Sequence, residues 1–278
     1  MKSIHKYISL LLIITILMSC NEEITLNTTF EPQIFIFGNL TNDAQKLNIT
    51  IQESVPIENT SKIPKPVNNA KLTLFTESSN GNEMIVTNEF IENNGDYLSS
   101  QIISPTIGNL YWIEVELENG ILFKSEKEQL KPLVHIDNIS MVNSFVRTTF
   151  KDPVNDKNFY RLNLFVSDNG KETSAYIISN DVLFNGNSDA FLEEDIGIGL
   201  SGSSARATLM NFNYNTFQFY LNIIAQEDAQ EDGEGPFQLF APPPVYLTGN
   251  ILNTTTKRKA LGNFGVVSVS VSNEFILQ

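Results

Sequence analysis

The sequence predicts a mainly β fold in two parts, a β-sandwich followed by a second β-rich domain that carries one amphipathic helix. Three observations predict it. Short runs alternate apolar and polar residues at regular spacing. Five Asn-Gly pairs (80–81, 94–95, 119–120, 169–170 and 185–186) punctuate those runs. One stretch near residue 213 switches from a period of two to a helical period. Alternation places every second side chain on one face of a strand, and Asn-Gly supplies the positive φ that tight hairpin turns require.

Residues 24–130 read as roughly seven strands, from "QIFIFGNL" to "ILFKSE". Asn80-Gly81 joins "AKLTLFTESS" to "NEMIVTNEF". Around Asn119-Gly120, Tyr111, Ile113, Val115 and Leu117 alternate with Trp112, Glu114, Glu116 and Glu118, which predicts a half-buried hairpin. The segment 54–69 holds three prolines and reads as a long loop within this part. The order "NNAKLTLF", "NNGDYLSS", "GNLYWIEVELENG" resembles transthyretin-like or immunoglobulin-like sandwiches used as accessory domains. The charged segment "KSEKEQLKPLVHI" with Pro132 suggests a boundary, giving domains at 30–130 and 131–278. In the second, Asn169-Gly170 joins "YRLNLFVSD" to "KETSAYIIS". Tyr214, Phe217, Leu221 and Ile224 then fall at i, i+3, i+7 and i+10, predicting a helix over 213–227 with Asn213 as N-cap. The stretch "EDAQEDGEGP" ends it with two glycines and a proline.

The N-terminus predicts location. Ile8–Met18 is an apolar run of eleven residues, too short for the roughly 20 that span a bilayer. Lys2, His5 and Lys6 precede it, so residues 1–19 read as a secretory signal. Leu17-Met18-Ser19-Cys20 looks like a bacterial lipobox, with the only cysteine of the chain at the first retained position. Cys20 is thus expected to carry lipid, with 20–29 as the anchored linker and the outer membrane as destination, at its surface or periplasmic face. Stable anchoring takes more than one acyl chain, which a lipobox cysteine receives. Cleavage leaves 259 of 278 residues and moves the formal charge from −14 to −16. Such a chain is repelled by nucleic acid, and Lys257-Arg258-Lys259 is its only basic run.

With these features in place, the chain resembles the domain-of-unknown-function 4249 family of Bacteroidota lipoproteins. The resemblance rests on "IFIFGNLT", "NNAKLTLF", "NNGDYLSS", "FKDPVNDKNFYRLNLFV", "DVLFNGN", "YNTFQFYLNIIAQ", "GPFQLFAPPPVYLTGNI" and "ALGNFGVVSVS", in this order after a lipobox. It implies a membrane-tethered β protein encoded beside TonB-dependent outer-membrane receptors. It implies no catalytic residues.

The residues offer little chemistry of their own. After removal of His5 with the signal, His135 is the only histidine, too few for a histidine-based zinc site. "GIGLSGSSAR" lacks the second glycine of a nucleophile elbow. Asp228, Glu231, Asp232 and Glu234 form the best cation candidate, a weak calcium site. Counted from Asp228, however, the twelfth position is Leu239 rather than the bidentate acid of an EF-hand. Glu193-Glu194-Asp195 reads as a solvated charge run. Phe237, Phe240 and Tyr246, in a segment that three prolines should keep extended, are the candidates for a partner-contact loop. No cofactor is expected. The function expected is a non-catalytic binding or accessory subunit of a TonB-dependent receptor system, its ligand unknown. A surface adhesion or structural lipoprotein is the alternative, followed by a carboxylate- or calcium-dependent hydrolase.

Overall fold

A computed structural model describes residues 30–56, 63–154, 156–168, 170–196, 202–231 and 247–278, with side chains to residue 227 in the helix. The strands up to the expected boundary are β1 (Ile34–Thr41), β2 (Asn48–Glu53), β3 (Lys65–Pro66), β4 (Lys71–Glu77), β5 (Glu83–Thr87), β6 (Phe90–Asn93), β7 (Asp96–Ser99), β8 (Leu110–Glu116), β9 (Leu122–Ser125) and β10 (Glu128–Gln129). Beyond it come β11 (Ile136–Val142), β12 (Phe145–Phe150), β13 (Phe159–Asp168), β14 (Lys171–Asn180), β15 (Ala190–Asp195) and β16 (Ser204–Phe212). The helix α1 (Tyr214–Glu231) follows, then β17 (Thr248–Asn253), β18 (Lys259–Val271) and β19 (Phe275–Ile276). The protein is mainly β with one helix among the described residues, as the alternation predicts. No helix among these residues is long and apolar enough to cross a membrane.

The predicted hairpins form, with turn chemistry of two kinds. Asn94 (φ 53°) and Gly95 (φ 86°) both take positive φ, the type I′ pattern, between β6 and β7. At the β8–β9 turn only Gly120 does so (φ 81°). There Leu117 N–H donates to the Ile121 carbonyl and Gly120 N–H to the Leu117 carbonyl, which makes a three-residue loop closed by a left-handed glycine. Trp112 lies on the outward face of β8, yet it is buried. Phe75 stacks on it at 5.2 Å, and the Lys127 ammonium lies 4.5 Å from the centre of its ring.

Two main cores form, and neither is a consecutive stretch of chain. The first gathers Ile36, Ile49, Leu74, Ile113 and Val115 from the N-terminal strands, and with them Ile251, Phe264 and Val266 from the C-terminal end. The second gathers Tyr160, Leu162, Leu164, Leu209 and Leu277. β18 joins both. Its residues 261–267 pair in parallel with β1, and its residues 268–271 pair antiparallel with β16. β17 fits between β18 and β9. Residues Pro32–Gln278 accordingly cluster as a single contact unit, in which the C-terminal strands β17 and β18 return to the core built by the strands before residue 130. A parallel partner for β1 has no local signature, since it is supplied from more than 200 residues away.

The helix starts where expected. Phe217 N–H donates to the Asn213 carbonyl, which makes Asn213 the cap by position. Its carboxamide is used elsewhere, donating to the Gln129 carbonyl at 2.8 Å. The buried face is rotated from the predicted stripe: Thr216, Phe217, Phe219 and Tyr220 are buried, whereas Tyr214 is 57% exposed. The rotation follows from two packing partners, with Phe219 against Phe37 of β1 and Phe217 against Phe159 of β13. The helix continues to Glu231, so Asp228 and Glu231 are helical rather than in a loop.

Candidate binding cleft

Two buried aspartates build the loop that walls the site. Asp152, in "FKDPVND", is fully buried. It accepts from the Tyr160 hydroxyl at 2.5 Å on one oxygen and from Gly186 N–H at 2.7 Å on the other. Burial pushes its carboxyl up from the usual carboxylate range, and these two donors pull it back. Burial and the adjoining carboxylate push the Tyr160 hydroxyl far up, so it remains a donor at any working pH. Asp181 opens "DVLFNGN" and accepts from Asn158 N–H at 2.7 Å. Phe184 turns inward against Phe150 and Tyr160. Held at both ends, the loop leaves Val182 76% and Leu183 95% exposed. Two motifs thirty residues apart in the sequence are therefore one structural unit.

A second polar network fixes the opposite wall. Glu128 on β10 is buried, and its Oε1 accepts from Asn215 at 3.0 Å and Asn250 at 3.1 Å. Asn215 also donates to Glu126 at 2.8 Å. Asn250 bonds both the N–H and the carbonyl of Phe264, acting as a strand partner for β18. Asn263 in turn donates to the Thr216 hydroxyl at 3.0 Å. The first turn of α1 is thereby clipped to β10, β17 and β18, which sets the position of Tyr214. Glu128 Oε2 has no hydrogen-bond partner, and burial pushes this carboxyl up to about 7 despite the Asn215 and Asn250 donors.

This raised value fixes the sign of a pH effect. In the unfolded chain the group ionises near 4.5, so between that value and about 7 the folded state holds the extra proton. Its contribution to stability is complete below 4.5 and lost as pH rises through 7, on the order of 3 kcal/mol in all. Glu128→Gln keeps an acceptor for Asn215 and Asn250 and cannot ionise. Urea melts at pH 5 and pH 8 should show the variant losing less stability than wild type over that interval. Equal losses in the two proteins would refute a buried, proton-holding Glu128.

Between these walls lies a cleft of about 810 Å³, lined among others by Lys131, Lys157, Phe159, Asp181, Val182 and Tyr214. Asn180, Asn185 and Asn213 line it as well. Three further depressions measure about 340, 360 and 470 Å³. Phe159 and Tyr214 approach at 5.6 Å, with Phe217 behind Phe159 at 4.8 Å. An apolar cleft with a few convergent polar groups is the usual form of a ligand site. No sequence signal marks Lys131 or Asp181 as neighbours; only the quoted motifs, taken together, point to this region.

Most of the residues singled out in the sequence are not among those described. Asp232, Glu234, Phe237, Phe240 and Tyr246 lie outside the described residues, as do Cys20 and the side chains of Asp228 and Glu231. The predicted calcium site and partner-contact loop therefore have no described geometry. Among the described residues no group of three or more His, Cys, Asp or Glu side chains is placed to hold a metal. His135 is exposed. Glu193 pairs with Arg147 at 2.5 Å across β15 and β12, so this charge run includes a structural ion pair.

A family model described as "Domain of unknown function (DUF4249)" matches residues 21–273, nearly the whole chain. The protein belongs to the DUF4249 family. No curated protein matches it. Solved structures similar to this DUF4249 chain include the chicken interferon gamma receptor alpha chain, at 9% identity and a TM-score of 0.23 over 66% of this chain and 90% of that one. A two-domain fibronectin type-III segment from chicken tenascin is 13% identical, with a TM-score of 0.21 over 65% and 91%. A cytokine receptor complex is 12% identical, with a TM-score of 0.26 over 64% and 82%.

Proposed function

We propose that this DUF4249 protein is a lipid-anchored binding subunit of the bacterial outer membrane, tethered through Cys20 and acting beside a TonB-dependent receptor. The observation that carries the reading is the position of Cys20. It follows an apolar run too short to span a bilayer, and the family match begins at the next residue, 21. The first strand among the described residues starts at Ile34, so a body rich in β structure follows the tether closely in the sequence. The cleft gives that body a place to take up a ligand, and the family resemblance suggests the receptor.

Cys20→Ser tests the anchor. Wild type should incorporate labelled palmitate and sediment with membranes, whereas the variant should take up no label and lose membrane retention. Wild-type protein that takes up no palmitate would overturn the reading. In a native-detergent pull-down the wild type should bring a TonB-dependent receptor with it; recovery of the anchored protein alone would remove the receptor and keep the tether.

A further inference from the structure

Lys131 is a buried charge with no ion-pair partner among the described residues. It is only 9% exposed, and its ammonium donates to a single acceptor, the Lys157 carbonyl at 2.6 Å. Among the described residues no carboxylate lies within the 4.0 Å of an ion pair, whereas Lys65, Lys71, Lys124, Arg147 and Arg206 each have one and Lys127 has two. An ammonium has three donors, and taking it out of water without an opposite charge is costly. Two of those donors have no acceptor among the described residues, at the wall of the cleft of about 810 Å³. Lys157 adds a second positive charge to the same wall, in a chain whose net charge is −14. Asp181, also at the cleft, directs Oδ2 to the backbone and carboxamide of Asn158. Beside the two lysines stand Phe159 and the exposed Tyr214.

We propose that this cleft binds an organic carboxylate, its anionic group on the Lys131 ammonium with Lys157 alongside, and its apolar body against Phe159 and Tyr214. The ligand is either a free acid or the C-terminal carboxylate of a peptide, the two presenting the same chemistry to Lys131. The inference is independent of membrane attachment and of any receptor, so its failure would leave the proposed tether standing.

Calorimetric titration of the full-length protein in a non-ionic detergent decides it with two matched pairs. The first is N-acetylphenylalanine and its amide; the second is an N-acetylated pentapeptide ending in phenylalanine, as acid and as amide. The acid should bind at least about tenfold more tightly than its amide in one or both pairs, a charge-assisted contact that a neutral end group cannot make. Binding of both acids indicates a free-acid pocket, and binding of the peptide acid alone indicates a chain-end pocket. Lys131→Met should abolish the acid preference without lowering the melting temperature, because the methionine fills the same space and leaves no buried charge. Tyr214→Ala should weaken acid and amide alike. Equal affinity for acid and amide in both pairs, or binding of none of the four, would overturn the proposal without recourse to a variant. So would an acid preference that survives Lys131→Met.

Discussion

Replacing Gly262 with alanine is expected to cost at least about 4 kcal/mol of folding stability, the range reached when backbone is forced against backbone in a core. Gly262 sits at φ +90°, where an L side chain is strained. A Cβ there would fall inside the van der Waals shell of the Ile36 carbonyl oxygen and 2.7 Å from the carbonyl carbon, on the parallel neighbour β1. The same residue forms a bulge, in which Leu261 and Gly262 both oppose Thr248 of β17, and its N–H donates to the Leu247 carbonyl at 2.7 Å. Nothing flexible is available to move aside. Urea denaturation should therefore show Gly262→Ala unfolding far earlier than Gly81→Ala. Gly81 also has positive φ, but its Cβ would meet no atom within 4 Å, so only the backbone cost of about 1 kcal/mol applies. Similar midpoints for the two variants would mean that β18 does not lie against β1 in this register.

Asp152→Ala is expected to cost about 3–5 kcal/mol, as removal of one partner from a buried charged network does. It strands the Tyr160 hydroxyl and Gly186 N–H, both of which end on this carboxylate, and leaves a hole beneath the loop 181–187. Asp152→Asn should be milder yet clearly destabilising, because a carboxamide offers one acceptor where two donors converge. Hydrogen exchange supplies the local readout. The amides of Gly186 and Asn187 should lose protection in Asp152→Asn, while the β13–β16 ladder, which does not involve this loop, keeps its own. Unchanged exchange at Gly186 would show that the carboxylate does not hold the loop. The cleft is the functional stake, since Val182 and Asn185 belong to that loop and line it.

Alternation, turn residues and helical period sufficed for the mainly β class, the hairpins around residues 80, 119 and 169, and the start of the helix at Asn213. These are local properties: a strand shows its buried face every second residue, and a turn shows its glycine. The face a helix buries is different. Tyr214 belongs to the apolar stripe by spacing, but the aromatic partners Phe37 and Phe159 turn the helix so that Tyr214 is 57% exposed at the cleft.

What the sequence determined by itself is the class of fold, its hairpin units, and a lipobox-like N-terminus that makes Cys20 the residue to test. Tertiary structure alone decided that β18 pairs with both β1 and β16. It decided too that Asp152 and Asp181 fix one loop, and that Lys131 lines a cleft with no ion-pair partner among the described residues. The division has a physical cause. Period and turn chemistry are written in neighbouring residues, whereas burial of a charge and pairing of distant strands depend on contacts whose partners the linear order leaves unspecified.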